Sequence, residues 1–332
     1  MSQNERPNHH DPARDPALTD LPPVEAPSAG FIVQLFVIPA VVVAVVIVVW
    51  LLFGKLAGGE RDAMEYVRML RSPSAHWRAA YELASLIQND PKLASDPKLL
   101  GELTDLLAHD LEQKDNPELT QYVALTLGAF QTLDAQVAGG QSIDTLATLA
   151  RALAPKAAAQ VRLAATISLA KHAARLDGKL ERSDIVEALA VTSEDPNAEL
   201  RQAASYALGF FGGEQAAQAL RERLKDTDCY ARYNAAIALG RRGDLASAGI
   251  YREMLTPADL AKVISLKSPT EKQSKIEAIE LEALQALDYS ITRKQPELAQ
   301  SLQPEIASLS KSGLVGVRNR AQALLKILPK SS

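Results

Sequence analysis

The chain has a single cysteine, few aromatic residues and almost no excess charge of either sign. Cys229 is the only cysteine among 332 residues, so no disulfide can form within the chain. The formal net charge is −4, and residues 1–30 carry −3 of it with two basic and five acidic residues. The rest of the chain therefore lacks the basic stripe that binding to nucleic acid requires. We expect no nucleic-acid partner.

Motifs of common enzyme classes are also missing from the sequence. It contains no glycine-rich phosphate loop, no GxSxG sequence and no HExxH pair, which argues against nucleotide hydrolysis, serine hydrolysis and zinc-protease chemistry. His9 and His10 are adjacent in a polar segment, but a metal site needs more ligands in a fixed geometry. The sequence thus predicts no catalytic residue, no cofactor and no metal site.

One long stretch has no charged residue. Residues 31–53, FIVQLFVIPAVVVAVVIVVWLLF, are almost entirely apolar. A helix of that length spans roughly 34 Å, enough to cross the roughly 30 Å hydrocarbon core of a bilayer. We therefore predict a transmembrane helix over 31–53, with the lipid bilayer as a partner and with Trp50 and Lys55 as anchors at the membrane surface. A cleaved signal peptide fits less well, because the preceding residues are acidic and the apolar run is too long.

The charges that flank this run predict its orientation. Arg14 is the basic residue nearest to the run on its N-terminal side. The basic residues that follow it are Lys55, Arg61, Arg68 and Arg71. Since positive residues are retained on the inner side, we expect residues 54 onward to be cytoplasmic, with a periplasmic or other extracytoplasmic location as the alternative. Ala40 and Ala44 form a small-xxx-small pair, which leaves homo-oligomerisation through the span possible.

Composition divides the chain into four segments. Residues 1–30 are polar and proline-rich, so we expect a disordered tail before the span at 31–53. Three glycines make 54–60 a hinge linker. From residue 61 on, alanine and leucine recur at three- and four-residue spacing, with Pro, Gly, Asp and Asn between the runs. This pattern is typical of helices, and it predicts an all-α domain over 61–332.

Two segments of the helical domain repeat each other. Residues 195–214, DPNAELRQAASYALGFFGGE, align with 226–245, DTDCYARYNAAIALGRRGDL, at a spacing of 31 residues. The shared positions are Asp195 and Asp226, Arg201 and Arg232, Ala204 and Ala235, Ala207 and Ala238, Leu208 and Leu239, and Gly209 and Gly240. Weaker copies with the arginine contain Arg78, Arg162 and Arg318, and copies without it surround Leu127 and Leu287.

This repeated pattern resembles the HEAT repeat, an armadillo-like helical unit, in the short form found in HEAT proteins of the phycobilin lyase type. The resemblance covers about residues 72–330. It implies an α-solenoid in which helical hairpins stack on one another and bury a continuous core. Small alanines would let the helices approach closely, and the glycines would let a helix end or pack without a side chain.

The same resemblance implies a role for the repeated charges. It makes Asp195, Arg201, Asp226 and Arg232 a structural ladder, in which each Asp caps a helix and pairs with an Arg of its own or the adjacent unit. Three other arginines have no Asp six residues before them, because Ser72, Lys156 and Ser312 stand there. The candidates for contact with a partner are therefore Arg78, Arg162 and Arg318.

Two functions from different classes remain open. The first, which the sequence favours, is a membrane-anchored scaffold whose concave helical surface binds a protein partner. The second is a lyase-like or cofactor-handling accessory protein, as the phycobilin lyase type implies. Asp228 would raise the pKa of Cys229, which argues against a reactive thiol. Deoxyhypusine hydroxylase has similar repeats, but its iron ligands resemble His-Glu pairs, and no histidine here is followed by Glu.

Overall fold

The computed structural model describes Val43, Val46, Ile47 and residues 62–72, 74–113, 116–176, 178 and 180–328. The chain divides into a unit that ends at Arg61 and a compact unit that begins at Asp62. Among the described residues, no helix has both the length and the apolar character needed to cross a membrane.

The predicted span at 31–53 lies outside the described residues, except for Val43, Val46 and Ile47, which are helical and exposed. The other N-terminal predictions also lie outside them: the tail 1–30, the linker 54–60, the anchors Trp50 and Lys55, and the pair Ala40 and Ala44.

The described chain is helical from Ala63 onward. Its helices are α1 (Ala63–Leu70), α2 (Trp77–Asn89), α3 (Pro91–Ala94), α4 (Pro97–Gln113), α5 (Pro117–Leu127), α6 (Thr145–Arg151), α7 (Ala159–Arg175), α8 (Ser183–Thr192), α9 (Ala198–Leu208), α10 (Gly213–Arg223), α11 (Cys229–Gly240), α12 (Ala248–Met254), α13 (Pro257–Val263), α14 (Pro269–Thr292), α15 (Glu297–Ser301), α16 (Gln303–Leu309) and α17 (Val315–Ile327). The β-type backbone pairing in this part of the chain is one isolated antiparallel bridge between Gln136 and Ser142. The predicted all-α class is confirmed there.

The helices form two layers. Layer A consists of α2, α5, α7, α9, α11, α14 and α17, and each of these helices packs against the next. In layer B, α1, α4, α6, α8 and α10 stack in the same order, and each packs against the layer A helix that follows it. The shorter helices α12, α13, α15 and α16 pack against α14 or α17. Stacked helical pairs of this kind make a solenoid-like array, and every repeat copy found in the sequence is a layer A helix.

Small residues set the close approach of layer A helices. A Cβ on Gly209 would lie 2.9 Å from the Cβ of Ala238, and one on Gly128 would lie 2.6 Å from the Ser168 Oγ. Both glycines end one layer A helix where the next one crosses. This explains the glycine of the Ala-Leu-Gly sequence, while Leu208 is fully buried between the layers.

The buried residues form two clusters rather than the continuous core that the HEAT resemblance implied. Ala235 and Leu239 on α11 belong to the cluster that begins at Ala63. Tyr233 and Ile237, also on α11, belong to the cluster that continues to Leu328. Because α11 is apolar on most of its circumference, one side of it packs in the first cluster and the other side packs in the second. This helix is therefore the junction between the two halves of the array.

Candidate protein-interaction site

Four layer A helices have an arginine as their fourth residue: Arg162, Arg201, Arg232 and Arg318. Arg201 donates from one guanidinium nitrogen to the backbone oxygens of Asp195, at 3.0 Å, and Pro196, at 3.1 Å, in the turn before its own helix. Arg232 and Arg318 donate in the same way to carbonyls six residues before them, at 2.8 and 2.7 Å. These bonds fix the guanidinium at the edge of the unit.

The carboxylate for each paired arginine comes from the following unit. Arg201 donates from its other two nitrogens to the two Asp226 carboxylate oxygens, both at 2.9 Å. Arg162 forms an ion pair with Asp195, and each of these side chains is only about a tenth exposed. Arg232 reaches Glu253 on α12 at 3.4 Å. The ladder therefore joins neighbouring units, and its arginines and aspartates come from successive repeats.

Asp226 is the most enclosed member of the ladder. Its side chain is 3% exposed, and a guanidinium nitrogen of Arg223 lies 3.9 Å from the Asp226 Oδ2 atom that also accepts from Arg201. Burial alone would raise the pKa of Asp226, but hydrogen bonds from Arg201 and the Asp228 amide hold that pKa below its ordinary value. The acid is therefore ionised and fully paired, as a buried charge must be.

The ladder aspartates hold turns rather than capping helices. Asp195 accepts a hydrogen bond from the backbone N–H of Asn197, and Asn197 itself caps α9. Asp226 accepts from the backbone N–H of Asp228, which caps α11 in the same manner. The expectation that the Asp of each unit caps a helix is thus wrong, because the capping residue lies two positions after it. The carboxylate of each ladder Asp also accepts hydrogen bonds from the arginine of the preceding unit, so it lies at the contact between the two units.

One of the three arginines proposed for partner contact, Arg162, is placed differently from expectation. Arg162 does not lack a ladder partner, because the relevant acid belongs to the next unit and not to its own. Arg78 is the second residue of α2, not the fourth, and it is exposed with its guanidinium 5.8 Å from the Trp77 ring centroid. Trp77 stacks on Tyr122 at 4.9 Å between the first two layer A helices.

The ladder is interrupted between the second and third units. Thr120 is the fourth residue of α5, and Lys156 stands where the third unit would supply its Asp. A cavity of about 690 Å³ opens at this junction, lined by both residues together with Arg151 and Asp110. Burial raises the pKa of Asp110 to about 6, and one of its buried oxygens has no hydrogen-bond partner. The missing ladder pair thus leaves an unfilled space.

The ninth residues of four successive layer A helices form an apolar row. These residues are Leu125 on α5, Ile167 on α7, Tyr206 on α9 and Ile237 on α11. Ile167 is 37% exposed and Tyr206 is 51% exposed, whereas Leu125 is half-buried and Ile237 is buried. Since α5, α7 and α9 pack side by side, Leu125, Ile167 and Tyr206 follow one another across the outer face of layer A, and the row ends at Ile237, which is buried in the second cluster. The sequence analysis missed this row, although the ninth helix residue is apolar in all four copies and lies between the repeated alanines in α9 and α11.

Aromatic rings and arginines continue this face toward the C-terminal half. The Tyr206 ring meets the Phe210 ring edge-on at 4.9 Å, and the Arg241 guanidinium lies 5.8 Å from the Phe210 centroid. Phe210, Arg241 and Tyr289 line a cavity of about 720 Å³ at the ends of α9, α11 and α14. Tyr, Phe and Arg are the side chains enriched at protein interfaces.

The pKa values of Cys229 and His172 are both shifted toward the neutral side chain. Burial, followed by the charge of Asp228, raises the pKa of the half-buried Cys229 thiol. His172 is buried, with one ring nitrogen 3.1 Å from the Leu127 carbonyl oxygen, and burial lowers its pKa to about 4. No group of three or more metal-ligating side chains occurs among the described residues.

A two-layer stack of helical pairs with a repeated Asp and Arg defines the class of α-solenoid repeat proteins. Residues 146–240 and 185–260 match the family model for HEAT repeats, so the chain is similar to that family over this part. It contains the Arg162, Arg201 and Arg232 pairs. The finer resemblance to the phycobilin lyase type stays a prediction.

Solved structures that are similar to the chain include a designed protein and a human enzyme. A designed armadillo repeat protein, YIII(Dq)4CqI, is 17% identical with a TM-score of 0.36, and the match covers 81% of this chain and 100% of that one. Human deoxyhypusine hydroxylase in complex with glycerol is 15% identical with a TM-score of 0.30, and the match covers 83% and 98%. Likenesses this weak say nothing of this chain's function. No curated protein matches the sequence significantly.

Proposed function

We propose that this protein is a non-catalytic adaptor, held at a membrane by residues 31–53, which binds a protein partner on the outer face of layer A. The apolar row is the observation that carries this proposal. Adjacent units place the exposed Ile167 and Tyr206 next to the half-buried Leu125 on one line. A contiguous apolar surface rimmed by polar residues is the usual mark of an interaction site.

The neighbouring side chains support binding to a protein. Tyr206 and Phe210 offer flat aromatic surface with few rotatable bonds, so little conformational entropy is lost when a partner covers them. Arg241 beside Phe210 adds a donor for a carboxylate or a backbone carbonyl at the edge of this surface. The apolar centre and polar rim match the anatomy of a transient interface.

The membrane location is a part of the proposal that rests on sequence. Residues 31–53 are long and apolar enough to span a bilayer, and the basic residues after them favour a cytoplasmic array. Tethering would raise the effective concentration of the array for partners on the same membrane. In sealed vesicles with the cytoplasmic face outward, added protease should cleave residues 62–332. Complete protection of that region in such vesicles would reverse the orientation.

Capture of the partner from solubilised membranes tests the adaptor function. Tyr206→Asp places a charge in the apolar row and should remove the captured protein, because the carboxylate cannot be desolvated there. Val191→Asp is a matched control, since Val191 is a 55% exposed apolar residue on layer B. Equal capture by wild type and Tyr206→Asp, with the same thermal midpoint for both, would contradict binding at this face.

A further inference from the structure

The cavity of about 720 Å³ at the ends of α9, α11 and α14 has a positively charged lining. Arg241, Arg242 and Arg293 line it together with the uncharged Gln285 and Gln295. Among the residues that the structure describes, no carboxylate lines it. The lining therefore differs from the ladder, where each of the buried arginines is paired with an acid.

The acids that lie closest to this lining in the sequence are engaged elsewhere. Glu214 directly follows the lining residue Gly213, and Asp244 comes two residues after Arg242. Both carboxylates form ion pairs with Arg221. The described part of the cavity thus keeps an excess of positive charge, and a concave surface of one sign attracts a group of the opposite sign.

Arg241 is the arginine of this cavity whose donors are available. Arg242 donates to the backbone oxygens of Gly213, at 3.2 Å, and Leu208, at 3.4 Å, so it serves to close the end of α9. The half-buried Arg241 guanidinium makes no hydrogen bond or ion pair with a described residue, and it lies 5.8 Å from the centroid of the Phe210 ring. A guanidinium held against a ring keeps its N–H groups for an oxyanion.

Aromatic rings connect this cavity with the apolar row. Phe210 lines the cavity and meets the exposed Tyr206 ring edge-on at 4.9 Å. Tyr289 also lines the cavity and is 39% exposed, and the Arg293 guanidinium lies 5.0 Å from the centroid of its ring. A ligand that covers Tyr206 therefore reaches the charged lining with its neighbouring groups.

We propose that the partner bound at the apolar row inserts an aspartate or glutamate carboxylate into this cavity, with Arg241 as the principal donor. The two oxygens of a carboxylate match the fork of a guanidinium, and exclusion of water strengthens the attraction. This inference rests on the proposed adaptor function, and it adds the chemistry of the partner segment, namely an acid close to an apolar residue. Continuity with Tyr206 favours a protein segment over a lipid headgroup or a free anion, because one ligand covers the ring and the charge together.

Selection of random peptides by the full-length protein in detergent tests this chemistry without knowledge of the partner. The wild type should enrich phage-displayed peptides that have Asp or Glu at a fixed distance from an aromatic or aliphatic residue. Arg241→Gln should lose the preference for an acid, and Arg241→Glu should select Lys or Arg at the same peptide position. A merely structural role of Arg241 would not reverse the charge of the selected residue.

The affinity of the leading peptide gives a second measurement, followed by fluorescence anisotropy. Replacing its acid by the corresponding amide should weaken binding about tenfold, the size expected for losing one charge-assisted pair. Arg241→Gln should weaken the unchanged peptide to the same extent, and both changes together should cost no more than either alone. Arg68→Gln is the matched control, since Arg68 is an exposed arginine on α1 and lies outside this cavity. It should leave the affinity unchanged.

Selected peptides without an acid, or a preference for acid that persists in Arg241→Gln, would overturn the inference. If such peptides still fail to bind Tyr206→Asp, the adaptor function stands without it. A selection that yields no peptide dependent on Tyr206 or Arg241 would contradict both proposals. Displacement of the leading peptide by an equal concentration of inorganic phosphate, or by phosphatidylserine vesicles, would indicate a site for phosphate groups and would also overturn the inference.

Discussion

Arg201 and Asp226 connect two units through two hydrogen bonds of 2.9 Å in a nearly closed environment, with 14% and 3% of their side chains exposed. Such a pair adds little net free energy over an apolar substitute, because desolvation offsets the attraction. The pair instead fixes the alignment of the two units, since its hydrogen bonds form only when one unit packs in register on the next.

Removal of one partner is expected to be costly. Arg201→Ala leaves Asp226 ionised and buried, so the free energy of unfolding should fall by about 3–5 kcal/mol in urea titrations. The double change Arg201→Met with Asp226→Leu should recover most of this loss. Arg151→Ala, which breaks an exposed pair with Glu112, should cost less than about 1 kcal/mol. Similar effects for the two single variants would refute the ladder as a buried structural element.

Glu280 predicts a dependence of stability on pH. The residue is fully buried, neither carboxylate oxygen has a hydrogen-bond partner, and burial followed by the charge of Glu277 raises its pKa from 4.5 to about 7. The folded state therefore binds a proton that the unfolded state releases above about pH 4.5. Stability contributed by this proton is present at low pH and is lost as the pH rises through 7, by roughly 3 kcal/mol in total.

The replacement Glu280→Gln tests this linkage. Urea midpoints measured at pH 5 and pH 8 should differ less for the variant than for the wild type, because the amide does not titrate in this range. An unchanged difference between the two pH values would show that Glu280 is ionised in the folded protein.

At the scale of helices, the end of α11 depends on the absence of a side chain. A Cβ on Gly240 would lie 2.0 Å from the Tyr251 Oη, and the Tyr251 side chain is fully buried. Gly240→Ala should therefore lower the free energy of unfolding by about 1–3 kcal/mol through overpacking. Gly249→Ala in α12 meets nothing within 4 Å and should instead stabilise the helix by about 0.5–1 kcal/mol. Chemical denaturation of both variants checks the opposite signs, and a neutral Gly240→Ala would contradict this packing.

Helix packing also determines how much of the structure the sequence could predict. The alternation of alanine, leucine and glycine identified every layer A helix, because that pattern directly reflects the two packed layers. The acid that pairs with Arg232 could not be predicted, since Glu253 comes from α12 and lies outside the repeat pattern. Arg78 is the second residue of α2, which buries Ala80, Leu83 and Ile87, so it does not occupy the ladder position of the other arginines, and only the three-dimensional packing reveals this register.

The candidate site shows the same limit. The arginines stood out in the sequence because they are charged and recurrent, yet three of the four at the ladder position are engaged inside the array. The apolar row was harder to recognise, because a leucine, two isoleucines and a tyrosine look like core residues in a helical pattern. Ile167 and Tyr206 are exposed because this face of layer A remains uncovered, which the pattern alone does not reveal.

At the scale of the molecule, residues 62–328 form a helical array with an uncovered apolar surface on layer A. The two buried clusters meet at α11, so residues 62–328 carry two linked cores and not independent repeats. Under the proposed adaptor function, a position at a membrane would determine which proteins the array meets.

Site-specific photocrosslinking in intact membranes tests the central claim most directly, namely that a protein partner covers the outer face of layer A. A photoreactive amino acid would replace Ile167 or Tyr206 in the apolar row, or Val191 on layer B as the control. The account predicts a crosslinked protein of the same mass from both row positions and none from position 191. Crosslinks from position 191 alone, or none from either row position while the protein remains folded, would contradict it.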